Sequence, residues 1–229
     1  MGVGGCEDIQ LDRAGQAEGF RATGDRHDEA LTRGEGRVHT SRRLPARLPA
    51  GSRVLALRRG TRLPTCRQRV HTGHKVTRVD LSGGALAPAR RHAPRAAFHR
   101  AGVADPRTGG RLGPGGPRDP GRFDAVVASS SLLTPPRAEL AQTLRGVHGL
   151  LSPGGSLGSL LMAEGDGDGV AIPFRGHIIR VSGYPRDELR QVVTDAGFVI
   201  LEEDSYAYAP PTTGALPERQ LFPHCRRPA

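Results

Sequence analysis

The chain has 229 residues and a formal net charge of +10, from 33 basic and 23 acidic groups. That length suits one α/β domain with extra segments. No stretch approaches the roughly 20 apolar residues of a membrane span and no apolar signal core opens the chain, so no membrane partner is expected and the cytoplasm is the expected location.

The charge is unevenly spread. Lys75 is the one lysine among the basic residues, and the rest are arginine. Residues 1–122 carry 24 basic and 11 acidic groups, whereas residues 123–229 carry 9 and 12. The aromatics, six Phe and three Tyr, fall mostly in the second half. Without aromatics interleaved among the arginines, the basic excess reads as compositional and a nucleic-acid partner is not expected. Cys6, Cys66 and Cys225 are odd in number and far apart, matching neither a disulfide framework nor metal-ligand spacing.

Residues 1–45 have no hydrophobic period and a charge- and Gly-rich composition, which predicts disorder. A domain is expected over 46–229. Arg53-Val54-Leu55-Ala56-Leu57 reads as a short buried strand, residues 64–72 as a helix with Pro64 near its first turn, and Lys75 to Val79 as a second strand. Ser82 is placed to cap a helix to about His92, and Ala96 to His99 is a short strand. Residues 106–121 hold six Gly and four Pro and form a flexible loop. Phe123 to Ala128 is a clear strand. Leu140, Leu144, Val147 and Leu151 then make one apolar helical stripe, stopped by Pro153-Gly154-Gly155. Leu157 to Met162 is a strand, Asp187 to Ala196 a helix with Gly197 past its end, and Phe198 to Leu201 and Gln220 to Cys225 two more strands. Strands alternating with helices predict a Rossmann-like α/β fold, a mostly parallel sheet with helices on both faces.

Four segments in this order carry a resemblance. FDAVVASSSLL at 123–133, HGLLSPGG at 148–155, DELRQVVTDAGFVILEED at 187–204 and VTRVDLS at 76–82 resemble the class I S-adenosylmethionine-dependent methyltransferases over about residues 45–227. The resemblance implies S-adenosyl-L-methionine as cofactor and methyl transfer to a small-molecule acceptor. It also implies a cofactor site made by Gly60 and Thr61 in the first turn, Asp80 on the ribose hydroxyls with Leu81 beside it, Gly102 and Val103 at the adenine edge, and Ala128 and Ser129 at the methionine end. The sequence departs from the family's glycine-rich turn: Ala56 stands at its acid, and Arg58 and Arg62 at two of its glycines. Arginine in a left-handed turn costs about 1–2 kcal/mol and adds bulk and charge, so impaired cofactor binding is expected. A non-catalytic methyltransferase-like binding protein and an arginine-rich nucleic-acid binder are the alternatives.

Other patterns carry less. Glu164, Asp166 and Asp168 match three positions of an EF-hand loop, but Arg175 stands where its glutamate should be, so a mobile loop and no metal are expected. Ser129-Ser130-Ser131 lacks the G-x-S-x-G elbow of a hydrolase. His177, Tyr184 and Glu164 are candidates for a base if the acceptor's proton must leave. His148 reads as a packing residue, and no catalytic residue is assigned.

Overall fold

The structure is a computed structural model that describes residues 48–58, 73–80, 96–100, 122–128, 131–158, 160–174, 177–208 and 218–229. The predicted disorder of 1–45, the helices at 64–72 and 82–92 and the loop at 106–121 lie outside these residues.

Four parallel strands form one side of the main sheet: β1 (Arg53–Arg58), β2 (Lys75–Asp80), β3 (Ala97–Arg100) and β4 (Phe123–Val127). Helix α1 (Arg137–Leu150) leads into β5 (Leu151–Gly158), which lies parallel to β4. The chain continues through β6 (Met162–Glu164), β7 (Val170–Phe174), β8 (His177–Val181) and β9 (Gly183–Tyr184) to α2 (Arg186–Asp195). It finishes with β10 (Val199–Tyr208) and β11 (Glu218–Arg226). The strand order is β3-β2-β1-β4-β5-β11-β6-β9, with β10 paired to β11, and β7 and β8 form a separate antiparallel hairpin. β11 runs antiparallel to β5, β6 and β10, so the sheet is parallel at one side and mixed at the other.

Alternation along the strands explains the layers. Leu55, Leu57, Val126 and Leu157 face a large core with Leu140, Leu144 and Val147 of α1 and Leu189 and Val193 of α2. Val54, Ala125 and Val127 face the opposite way, against Leu48. Arg78 is fully buried in β2, in register with Ala56 on one side and Phe98 on the other.

The expected helix stripe meets a correction at its end. α1 stops at Leu150, and Leu151 is already extended and paired with Phe123. Pro153-Gly154-Gly155 does not break the helix; it forms a bulge in β5, since the register jumps from Phe123↔Leu151 to Ala125↔Ser156. Gly154 supplies the left-handed backbone this bulge needs, at φ +76°. The last carbonyls of α1 are met by arginines: Arg227 Nη1 donates to His148 O at 3.0 Å, and Arg122 Nη1 to Gly149 O at 3.3 Å. Both cations also suit the negative end of the helix dipole.

The predicted strand over 157–162 is two strands, β5 and β6, and β10 and β11 extend further than expected. The β7–β8 hairpin was not expected as such.

Candidate functional site

In an open α/β sheet, ligands bind outside the carboxyl ends of the strands where the strand order reverses. Here the chain passes from β1 to β2 and β3 on one side, then to β4 and β5 on the other, so the reversal lies between β1 and β4. The carboxyl ends of β1 and β4 therefore flank the candidate crevice.

Two of the sequence-predicted residues fall among the described ones. Asp80 is the last residue of β2, and Ala128 immediately follows β4, fully buried, its N–H reaching Gly158 O at 3.4 Å. Gly60, Thr61, Leu81, Gly102, Val103 and Ser129 lie outside the described residues, but each is within three positions in sequence of the end of β1, β2, β3 or β4. The fold thus gathers onto one edge the four strand ends to which all eight candidates are attached.

The structure changes the reading of Arg58. It is not in a left-handed turn; it is the last residue of β1, paired in register with Asp80. Backbone strain therefore does not fall on position 58. Ala56, at the position of the family's acid, is 3% exposed and sits between Arg78 and Val127 in register.

Ser131, weighed in the sequence only as part of the serine run, bridges two strand ends at this edge. Its hydroxyl is buried and donates to Leu57 O at 2.8 Å, tying the segment after β4 to the end of β1 across the reversal point. The serine run after a strand was the available signal. Removing this donor from a buried carbonyl should cost about 1–3 kcal/mol. Urea unfolding of Ser131→Ala checks it, and a midpoint equal to the parent's would mean the bond contributes nothing.

The segment after β4 also holds the hairpin. Ser182 N–H donates to Leu133 O at 2.7 Å, directly below β8. The loop expected to be mobile, 165–169, is instead fastened to the start of α1. Pro136, the N-cap residue, has no capping side chain, and Asp168 Oδ1 takes over by accepting the Arg137 N–H at 2.9 Å and the Ser182 hydroxyl at 2.9 Å. The Arg137 guanidinium lies 4.7 Å over the Tyr184 ring, donates to Gly183 O at 2.8 Å and Gly165 O at 3.2 Å, and pairs with Asp166 at 2.9 Å and Glu188 at 3.3 Å. The carboxylates that imitated a calcium loop are committed to an arginine and a helix end. Among the described residues no group of three metal-ligating side chains occurs.

The base candidates separate. Tyr184 is buried, its hydroxyl donates to Arg137 O at 3.2 Å, and burial pushes its pKa up to about 12, so it stays a neutral phenol. Glu164 lies on β6, beyond β11, between Arg186 and Arg219 at 3.5 Å each. Neither stands at the crevice between β1 and β4. His177 opens β8 and is paired with Phe174. His148 packs edge-on to Phe198 at 5.2 Å, and burial followed by the nearby Arg227 charge lowers its pKa, as suits a packing residue.

These features define a class of fold: a doubly wound sheet with an antiparallel last strand and its strand order reversing between β1 and β4. No protein-family model matches the chain, and no curated protein matches it in sequence. Solved structures do. The chain is similar to the 1,6-didemethyltoxoflavin-N1-methyltransferase of Burkholderia thailandensis, solved with 1,6-didemethyltoxoflavin and S-adenosylhomocysteine. That match has TM-score 0.67 and 20% identity over 100% of this chain and 93% of that one. It is also similar to the N-methyltransferase NodS of Bradyrhizobium japonicum, solved with S-adenosylhomocysteine, at TM-score 0.57 and 14% identity over 85% and 87%. The cyclase SpnF matches at TM-score 0.62 and 18% identity over 83% and 80%. The chain has the class I S-adenosylmethionine-dependent methyltransferase fold. Among the described residues no helix is long and apolar enough to cross a membrane.

Proposed function

We propose that this protein binds S-adenosylmethionine in the crevice between β1 and β4 and transfers its methyl group to a small-molecule acceptor, with weakened cofactor affinity. The observation that supports the reading is the strand order: Ala128 follows β4 at the reversal, and Asp80 ends β2, one strand further along the same carboxyl edge. The methyltransferase structures that share the fold, two of them solved with S-adenosylhomocysteine, support it.

The residues present fit an adenosyl ligand at its ribose end. Asp80 brings an acceptor for two hydroxyls, and Ala128, with only a methyl side chain, narrows the crevice little at the end of β4. When bound, S-adenosylmethionine supplies both the methyl group and its own leaving thioether. What the protein must do is orient: hold the ribose through Asp80 and fix the segment after β4 through the Ser131–Leu57 bond. The β7–β8 hairpin, fastened to that segment at Leu133, would wall the acceptor side, and Ile178 on it is 62% exposed. No side chain among the described residues is assigned as a base.

Calorimetric titration with S-adenosylhomocysteine tests the reading. Binding is expected, and Asp80→Asn should weaken it about tenfold, since a hydrogen bond to a charged group contributes roughly 1.5–3 kcal/mol and 1.4 kcal/mol is tenfold. Absence of binding by a folded protein, or equal affinity of the Asn variant, would overturn it.

A further inference from the structure

Two arginines meet at the amino edge of the sheet, opposite the crevice. Arg122 immediately precedes β4, and Arg227 immediately follows β11, which runs antiparallel to β5. Both reach the first residue of β5. Arg122 Nη1 donates to Leu151 O at 3.1 Å, and Arg227 Nη1 donates to the same oxygen at 2.8 Å. Each Nη1 also holds one carbonyl at the end of α1. One nitrogen of each guanidinium is thus engaged, while the Nε and Nη2 of both bond no other group among the described residues. Arg122 is exposed and Arg227 half-buried, so solvent reaches the pair.

Two cations drawn to one oxygen repel each other well inside the roughly 8 Å over which physiological salt screens charge. The helix carbonyls offset part of this repulsion, through Nη1 alone. Among the described residues neither arginine has an ion pair, whereas Arg137, Arg186, Arg190 and Arg219 each lie within 3.5 Å of a carboxylate. Asp124, the acid of β4, accepts the Arg53 N–H at 2.8 Å instead. The Arg53 guanidinium lies 5.7 Å over the Phe123 ring and brings a third cation to the start of β4.

The forks select the anion. Each guanidinium fork is filled by two oxygens. A carboxylate has two oxygens in all and fills one fork, whereas a phosphate monoester has three, with a charge close to −2, and can bridge both. We propose that Arg122 and Arg227 form a phosphate-binding site on the amino edge of the sheet, for free phosphate or the phosphate of a small monoester. The site is separate from the cofactor crevice and stands whether or not that crevice takes the methyl donor.

The test is calorimetric titration of the full chain with inorganic phosphate, glycerol 3-phosphate and acetate at constant ionic strength. At least one phosphate should bind, ten or more times tighter than acetate. Tighter binding of the ester assigns the site to esters, and tighter binding of the free ion assigns it to the ion; both uphold it. Arg122→Lys and Arg227→Lys keep the charge and lose the fork, so each should weaken the phosphate tenfold or more. Arg145→Lys, on the exposed side of α1, should leave it unchanged. The parent chain gives a second readout. Burial and then the Arg227 and Arg122 charges lower the His148 pKa, so saturating phosphate should raise it in an NMR titration. Arginines that served only as helix caps would leave that pKa where it was. Phosphate binding no tighter than acetate, lysine variants as tight as the parent, or an unmoved His148 pKa each overturn the proposal.

Discussion

Leu144→Ala should lower the unfolding free energy by about 2–5 kcal/mol, the range for truncating a fully buried leucine to alanine. Leu144 has no exposed surface and lies midway along α1, in the core shared with Leu55, Leu57 and Val126 of the sheet. The neighbours belong to two strands held in the sheet and cannot both close over the gap, so the upper half of the range is expected. Arg145, next to it on the solvent side, is the internal control: its alanine variant should stay within about 0.5 kcal/mol of the parent. Urea denaturation with a shared slope measures both. A Leu144→Ala midpoint close to the Arg145→Ala midpoint would mean that α1 is not seated on the sheet as described.

Arg137→Ala is expected to cost about 2–4 kcal/mol, although its side chain is still 20% exposed. The estimate adds charge-assisted bonds to Gly183 O and Gly165 O, roughly 1.5–3 kcal/mol each before screening, to a cation–π contact of about 0.5–1 kcal/mol with Tyr184. The ion pairs to Asp166 and Glu188 add little, since Asp166 is largely in water. The loss should be local as well as global. Amides of Gly165, Ser182 and Gly183 should exchange with solvent much faster in the variant, while those of β1 and β4 keep their relative protection. Arg137→Lys keeps the charge but not the planar fork, and should recover less than half. A variant whose 165–183 region exchanges as slowly as the parent's would show that the guanidinium fastens nothing.

These two positions mark what can be read from residues alone. Leu144 was legible, because four leucines and valines at helical spacing have one low-energy arrangement against a sheet. The strands β1, β2 and β4 were legible for the same reason: buried β-branched runs with turn residues at each end. Arg137 was not. Its partners Gly165, Asp166, Gly183 and Glu188 are distant in sequence, and Asp166 belongs to a run that imitates a calcium loop. Pro153-Gly154-Gly155 misled because glycine after proline stops a helix and bulges a strand equally well. The outline of the candidate site, one acid and one small residue at the ends of β2 and β4, followed from the order of the segments. The register that sets Asp80 opposite Arg58 did not, because which residues lie side by side in a parallel sheet depends on a register that no local pattern encodes.

The place of β11 has a consequence for how the molecule comes into being. The strand made last is not at the margin of the sheet but inside it, between β5 and β10, and it also pairs with β6. The residue that closes α1, Arg227, lies 79 positions after the His148 carbonyl it serves. On the ribosome, therefore, everything up to β10 emerges with β5 and β10 both presenting unpaired backbone, and α1 has Arg122 at its end but not yet Arg227. Open strand edges of this kind pair readily with other chains. The half-made protein is thus exposed to aggregation until β11 is added, and a chain halted short of β11 keeps that exposure for good.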